Sequence, residues 1–411
     1  MSILLFEDDQ VTQLYPITIG RPAFAISCGS FRLIDRVLAL GSQVQVRVRP
    51  HLRAVHAADY PAAEISRAVD KPLLLVNARL VPSTGALQQL KALSEAGRPC
   101  RVDCGAYLAA AVLPGGTPLP PADAPHGDFL TLVQRAELPL VEANLPLFDY
   151  PHDVVRHHLS SLPDSLAERL AEAQYREVAD GVFLAEGAAL GQHVVTDTRK
   201  GPIVLERNAT VGPYCFLSGP AHLGPGARVI EHAAIKDGVS LGHTTKIGGE
   251  IEGSIIEPYT NKQHHGFLGH SYLGSWVNLG AGTCNSDLKN TYGQVNMEYW
   301  GHRVPTGMQF IGTIVGDYAK SAINTGIFTG KTIGACSMLY GFVTTNVPSF
   351  VNYARLFGQV TEAPVDVMVA TQARMFARRN VSQRPCDIQL LYDMYELTRH
   401  ERQLAGEPLS L

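Results

Sequence analysis

From Leu205 to Ile247 an aliphatic side chain returns at every sixth position: Leu205, Val211, Leu217, Leu223, Val229, Ile235, Leu241 and Ile247. The fifth place of the same hexads holds small or β-branched residues, among them Ala209, Cys215, Ala227 and Val239, and the second place is often Gly (Gly212, Gly224, Gly242, Gly248). A helix needs apolar residues at about 3.6 spacing and a strand needs them at two. A sustained period of six predicts short strands joined by regular corners, stacked as a parallel β-helix. A single coil cannot bury its inward aliphatics alone, so neighbours stack on it and the terminal coils need caps.

The period stops at Gly253, where the polar stretch Glu257–Gly266 follows. It resumes at Phe267, Leu273 and Leu279, and after an excursion it continues through Val315, Ser321, Ile327, Ile333 and Leu339. Two loops are therefore expected to leave one spiral. Beyond Pro348, helical spacing (Val369, Ala373, Phe376, then Leu391, Met394) predicts helices that close the open end. Before the spiral, Ser2–Phe6 and Leu73–Val76 read as buried strands of an α/β domain, and Phe31–Arg36 as the start of a helix. Residues 106–146 show turns and no element. The pattern from Val154 to Ala173 predicts a helix with a break at Pro163. The expected organisation is an α/β domain over 1–148, a helical linker over 149–181, the β-helix over 182–350 and a helical cap over 351–411.

Composition narrows the function. A formal net charge of −4 supplies no basic stripe for nucleic acid. Seven scattered cysteines suit free thiols in a reducing compartment. No apolar run approaches a signal or membrane-spanning length, so a cytoplasmic chain with no membrane partner is expected.

Chemistry concentrates where the period breaks. Lys262, His264, His265, His270, Tyr272, Asn278, Asn285 and Lys289 crowd into one short stretch, whereas a regular β-helix needs none of them. A histidine there suits a general base, because imidazole titrates near neutral pH. Asparagines suit a sugar or phosphate. Three histidines in seven residues also raise a metal reading, ranked below the base because the carboxylates that usually back histidine ligands are not obvious nearby. In the first domain Arg21, Arg36 and Arg79, near Gly29 and the strand end at Asn77, form a plausible phosphate cradle. Each of these residues taken alone also reads as an ordinary surface charge, cap or ladder residue.

Gly269-His270-Ser271-Tyr272-Leu273-Gly274, then Val277-Asn278-Leu279-Gly280-Ala281-Gly282-Thr283 and Asn285, resembles the acetyltransferase half of the bifunctional N-acetylglucosamine-1-phosphate uridyltransferase / glucosamine-1-phosphate acetyltransferase family. Arg21-Pro22, Val76-Asn77-Ala78-Arg79 and Ser286-Asp287-Leu288-Lys289-Asn290 extend the resemblance, closest to that family's sugar nucleotidyltransferase branch. The resemblance implies a left-handed β-helix after a Rossmann-like nucleotidyltransferase domain, a homotrimer, and acetyl transfer from acetyl-CoA to the amine of a hexosamine 1-phosphate. It implies His270 as general base, with Tyr272, Asn278, Asn285, Lys262 and Lys289 on sugar, phosphate or CoA, and Ala281 and Gly282 against the CoA arm.

Two departures stand out. One residue separates His270 from Tyr272 where the family has two, and Ser286 replaces a Tyr. The Gly-rich nucleotide loop is missing, and Asn77 stands where a metal-binding Asp is expected. The family's Mg²⁺ in the N-terminal domain, and a nucleoside triphosphate as partner, are thereby put in question, unless Asp8, Asp9, Arg21, Arg36 and Arg79 compensate. A nucleotidyltransferase whose β-helix is a trimerisation scaffold, and a sugar-nucleotide sensor without turnover, remain as alternatives.

Overall fold

The computed structural model describes residues 1–40, 43–61, 63–65, 72–120, 128–355 and 358–404. Two compact units emerge: Met1–Leu14 with Gly20–Tyr150, and Tyr15–Ile19 with Pro151–Leu411.

The first unit is built on a six-stranded sheet in the order Ala63–Ile65, Val44–Arg47, Ser2–Phe6, Leu73–Asn77, Tyr107–Leu113, Cys100–Cys104. The first four strands run parallel, and Tyr107–Leu113 is antiparallel to both of its neighbours, Leu73–Asn77 and Cys100–Cys104. Strands Ser2–Phe6 and Leu73–Asn77 are buried throughout, which explains their unbroken apolar runs. Their register sets Phe6 beside Asn77. Glu7 and Asp8 therefore leave the sheet next to Asn77 and Arg79, at the carboxyl edge where α/β sheets bind ligands. The expectation of loops alone over 106–146 is corrected: Tyr107–Leu113 is a strand and Asp128–Arg135 a helix. Leu108–Leu113 is buried along its whole length, so its small residues show neither the alternation nor the bulk that marks a half-exposed strand.

The second unit is built on a parallel β-helix. Its inward aliphatics stack in columns: Leu205 pairs with Leu223 and Leu223 with Leu241, Val211 with Val229 and Val229 with Ile247. Each coil thus spends three hexads, one on each side, and its backbone groups pair with the coils above and below. The columns form one buried cluster from Val182 to Val360. Coil formation already begins at Val182, with Val195–Asp197 as its third side, so the polar stretch after Thr196 extends a corner and does not interrupt the spiral.

The break expected at Gly253 is corrected as well. Ser240 pairs with Ile255 and Ile247 with Lys262, so this coil is shortened but unbroken. Lys262 takes the inward place that aliphatics hold elsewhere. It is 1% exposed, and its ammonium donates to the carbonyls of Gly248 (3.1 Å) and His264. The single large excursion lies between Cys284–Asn285 and Thr313–Val315 and carries the hairpin Asn296–Tyr299 / His302–Pro305.

Helix Pro151–Glu172 runs through Pro163 without the expected break. Leu162 and Leu166 are buried against Val204, and this packing on both sides of the proline offsets the hydrogen bond it cannot make. The three C-terminal helices, Val365–Ala377, Pro385–Leu397 and Arg399–Leu404, are present. They do more than close the end. Phe376 packs on Trp276 at 4.5 Å, and Arg379 donates to Asn261, so the first of them lies along a flank of the spiral. Among the described residues no helix is long and apolar enough to cross a membrane.

Candidate functional site

His270 stands at a corner of the β-helix, just after the strand Phe267–Gly269, in a left-handed backbone conformation (φ 45°). Its Nδ1 lies 2.8 Å from Oδ2 of Asp287. A carboxylate accepts and cannot donate, so Nδ1 carries a proton, and in the neutral imidazole Nε2 then keeps its lone pair. That is the tautomer a general base needs. Both side chains are largely shielded, at 17% and 13% exposure, and the ring of Phe310 lies 5.3 Å from the imidazole. Asn285 anchors the backbone just before the histidine, with its Oδ1 accepting from Gly269 N (2.9 Å) and its Nδ2 donating to Gly269 O (3.1 Å). It occupies an inward column position beside Ile327, so it braces the coil. Tyr272 is fully buried, and its hydroxyl donates to Glu257 at 2.9 Å.

A second constellation lies on another side of the spiral. One outward row reads Arg228, Lys246, Asn261, Asn278, Lys320, each paired with the next coil. From Lys246 onward this row, with Arg378 and Arg379 after the first C-terminal helix, lines a cleft of about 580 Å³ that also takes in Tyr259, His264, Trp276, Gly280 and Ala281. Tyr259 and Trp276 stack at 4.2 Å. No carboxylate stands in the row. Burial and the surrounding Arg379, Arg228 and Arg378 lower the pKa of Lys246, and burial pulls Lys320 down to about 8. Crowded cations that depress one another mark a place suited to an anion.

The structure thus divides the residues singled out in the sequence. His270 and Asn285 share one corner, and Asn278 and Ala281 share the cationic cleft. Gly282 sits at the corner beside it, where a Cβ would meet Asn324 Oδ1 at 2.1 Å. Lys262 points into the core, and Lys289 donates to the Gln294 carbonyl in the excursion. His264 faces the cleft while His270 turns to Asp287, so the histidines diverge. Asp287, Lys246, Lys320, Arg378 and Arg379 were given no role in the sequence reading. The coil length would have found the first: Asp287 follows His270 by 17 residues, one coil, just as Ile251 pairs with Leu268.

In the first unit, Arg21 gives its carbonyl to Arg49 Nη2 (3.1 Å), beside the buried Arg49–Glu7 pair, and Arg36 lies 4.4 Å over the Phe31 ring. Arg79 is elsewhere. Fully buried at the strand end, it grips Asp8 through Nε (2.8 Å) and Nη2 (2.7 Å) and reaches Asp149 through Nη1 (3.0 Å). Asn77 Nδ2 also donates to Asp8 (2.8 Å). Burial opposes the Arg79 charge, but its bonds to Asp8 and Asp149 outweigh this and raise its pKa. Mg²⁺ requires carboxylate oxygens free to face it. Here both oxygens of Asp8 face a guanidinium, so the residues do not fit the metal.

Residues 3–169 match the family model described as sugar nucleotidyl transferase. Among curated proteins the chain is similar to the bifunctional sugar-1-phosphate nucleotidylyltransferase/acetyltransferase of Sulfurisphaera tokodaii, 27% identical over 36% of this chain and 37% of that protein. It is also similar to the bifunctional protein GlmU of Paraburkholderia xenovorans, 29% identical over 41% of this chain and 45% of the relative. The chain spans less than half the length of each of these proteins. A solved Francisella novicida UDP-N-acetylglucosamine acyltransferase aligns over 57% of this chain and 79% of its own, at 16% identity and a TM-score of 0.35.

Proposed function

We propose that the chain is a sugar-nucleotide biosynthetic transferase whose β-helix moves an acetyl group from acetyl-CoA to the amine of a hexosamine 1-phosphate. The observation that carries this reading is the 2.8 Å contact from His270 Nδ1 to Asp287, which leaves Nε2 free as a base. The neutral amine attacks the thioester carbonyl, Nε2 takes the amine proton, and the CoA thiolate leaves and is protonated. Asp287 orients the imidazole and offsets its developing charge. No covalent nucleophile is needed.

The cationic cleft suits the phosphates of CoA, with the Tyr259–Trp276 wall beside them. His270 and this cleft lie at different sides of one chain, which favours a homotrimer in which the base of one copy faces the cleft of the next. The N-terminal segment, from the family model it matches, is assigned the sugar phosphate or nucleotide.

His270→Ala tests the assignment. It is expected to abolish acetyl-CoA-dependent thiol release with a hexosamine 1-phosphate, and unchanged turnover would sink it.

A further inference from the structure

The misfit between the N-terminal strand-end site and a divalent cation has a specific cause. Asp8 follows the strand Ser2–Phe6, Asn77 ends the adjacent parallel strand, and Asp149 arrives from more than seventy residues downstream. The two carboxylates and the amide converge on one point, and a cation is already there. The Arg79 guanidinium makes a two-toothed contact with Asp8 (2.8 and 2.7 Å), one with Asp149 (3.0 Å) and one with the Phe148 carbonyl (2.6 Å). Its CZ lies 4.8 Å from the Tyr107 ring centroid, and its side chain has no exposed surface.

The planar fork matches a carboxylate in a way a diffusing ion would have to displace. Displacement would leave a buried guanidinium without its partners, and breaking a buried pair one-sidedly is strongly unfavourable. The backbone assists, since Asn77 Oδ1 accepts from Arg79 N at 2.9 Å and so fixes where the arginine leaves the strand. The neutral Asn77 fits this reading, because a carboxylate there would bring a third negative charge to a guanidinium that already faces Asp8 and Asp149.

We infer that Arg79 is the resident cation of the N-terminal strand-end site, holding the position between Asp8 and Asp149 and excluding a divalent metal ion from it. Any phosphate chemistry in this domain then proceeds without a metal at that position. The inference does not depend on the acetyl transfer proposed above.

Mn²⁺ titration of the full chain, followed by the EPR signal of the free ion, tests it without reference to activity. The wild type is expected to bind no Mn²⁺ that Asp149→Asn removes. Arg79→Met leaves two carboxylates facing each other, and it is expected to gain roughly one Mn²⁺ site that Arg79→Met/Asp149→Asn lacks. A folded Arg79→Met chain with no gained site overturns the inference. So does a wild-type site that disappears in Asp149→Asn. Should Arg79→Met fail to fold, the wild type against Asp149→Asn decides alone, since Asp149 is 54% exposed and its replacement spares the core.

Discussion

Asp287 holds His270 through a 2.8 Å hydrogen bond across one coil of the β-helix, 17 positions away along the chain. If that bond sets the imidazole tautomer, Asp287→Asn presents an amide that allows the ring to reverse its proton. The expected outcome is a fall in kcat of about 10²–10⁴ with KM for both substrates changed less than a few-fold. Steady-state kinetics measure this. A lowered melting temperature with kcat intact would make the carboxylate a structural brace.

Gly269 is required by the same pair. A Cβ there would meet Asp287 Oδ2 at 2.2 Å and the Phe267 ring at 2.5 Å. Gly269→Ala is therefore expected to displace the carboxylate and lose activity to a similar degree as Asp287→Asn, with a crystal structure showing the His270–Asp287 separation beyond hydrogen-bond range.

Lys320 predicts a pH dependence of CoA binding. Burial lowers its pKa to about 8, and a bound phosphate stabilises the charged form. The attraction is then complete below pH 8 and fades as pH rises through that value. Calorimetric titration between pH 7 and 9 is expected to show weakening affinity for CoA, and Lys320→Gln to be weaker at pH 7 and flatter across the range. A slope unchanged in the variant would remove Lys320 from the site.

Lys262 predicts a stability effect. Its ammonium satisfies two inward carbonyls, so Lys262→Met leaves them unpaired at a cost of about 1–3 kcal/mol. Thermal denaturation is expected to show the loss while KM for the sugar phosphate stays put. A raised KM at unchanged melting temperature would return Lys262 to the ligand.

Subunit mixing checks the shared site. His270→Ala and Arg379→Ala are each expected to be poorly active, and co-refolded mixtures to recover a fraction of wild-type turnover, because some sites then join an intact base to an intact cleft. Recovery absent from mixtures proven to be hetero-oligomeric would place both residues in one copy's site.

The period of six was enough to recognise the β-helix, because each inward position is set by its own place in the hexad and needs no knowledge of distant residues. The apolar strands Ser2–Phe6 and Leu73–Asn77 were legible for the same local reason. The alanine-rich strand Tyr107–Leu113 was not, since burial on both faces erases alternation. The motif around His270 pointed to the right corner, yet its partner stayed hidden: the nearest carboxylate along the chain is not the nearest in space, and the shortened coil from Ile247 to Lys262 decides what stacks on what. Coil length likewise assembled Arg228, Lys246 and Lys320 into one row and turned Lys262 inward. At the other end of the chain, Asp8 and Asp149 meet Arg79 across 71 and 70 residues. Sequence alone determined the repeating unit and the residue types available for chemistry; tertiary structure decided which charges face each other, because those pairings depend on strand register and on how many residues each turn of the spiral consumes.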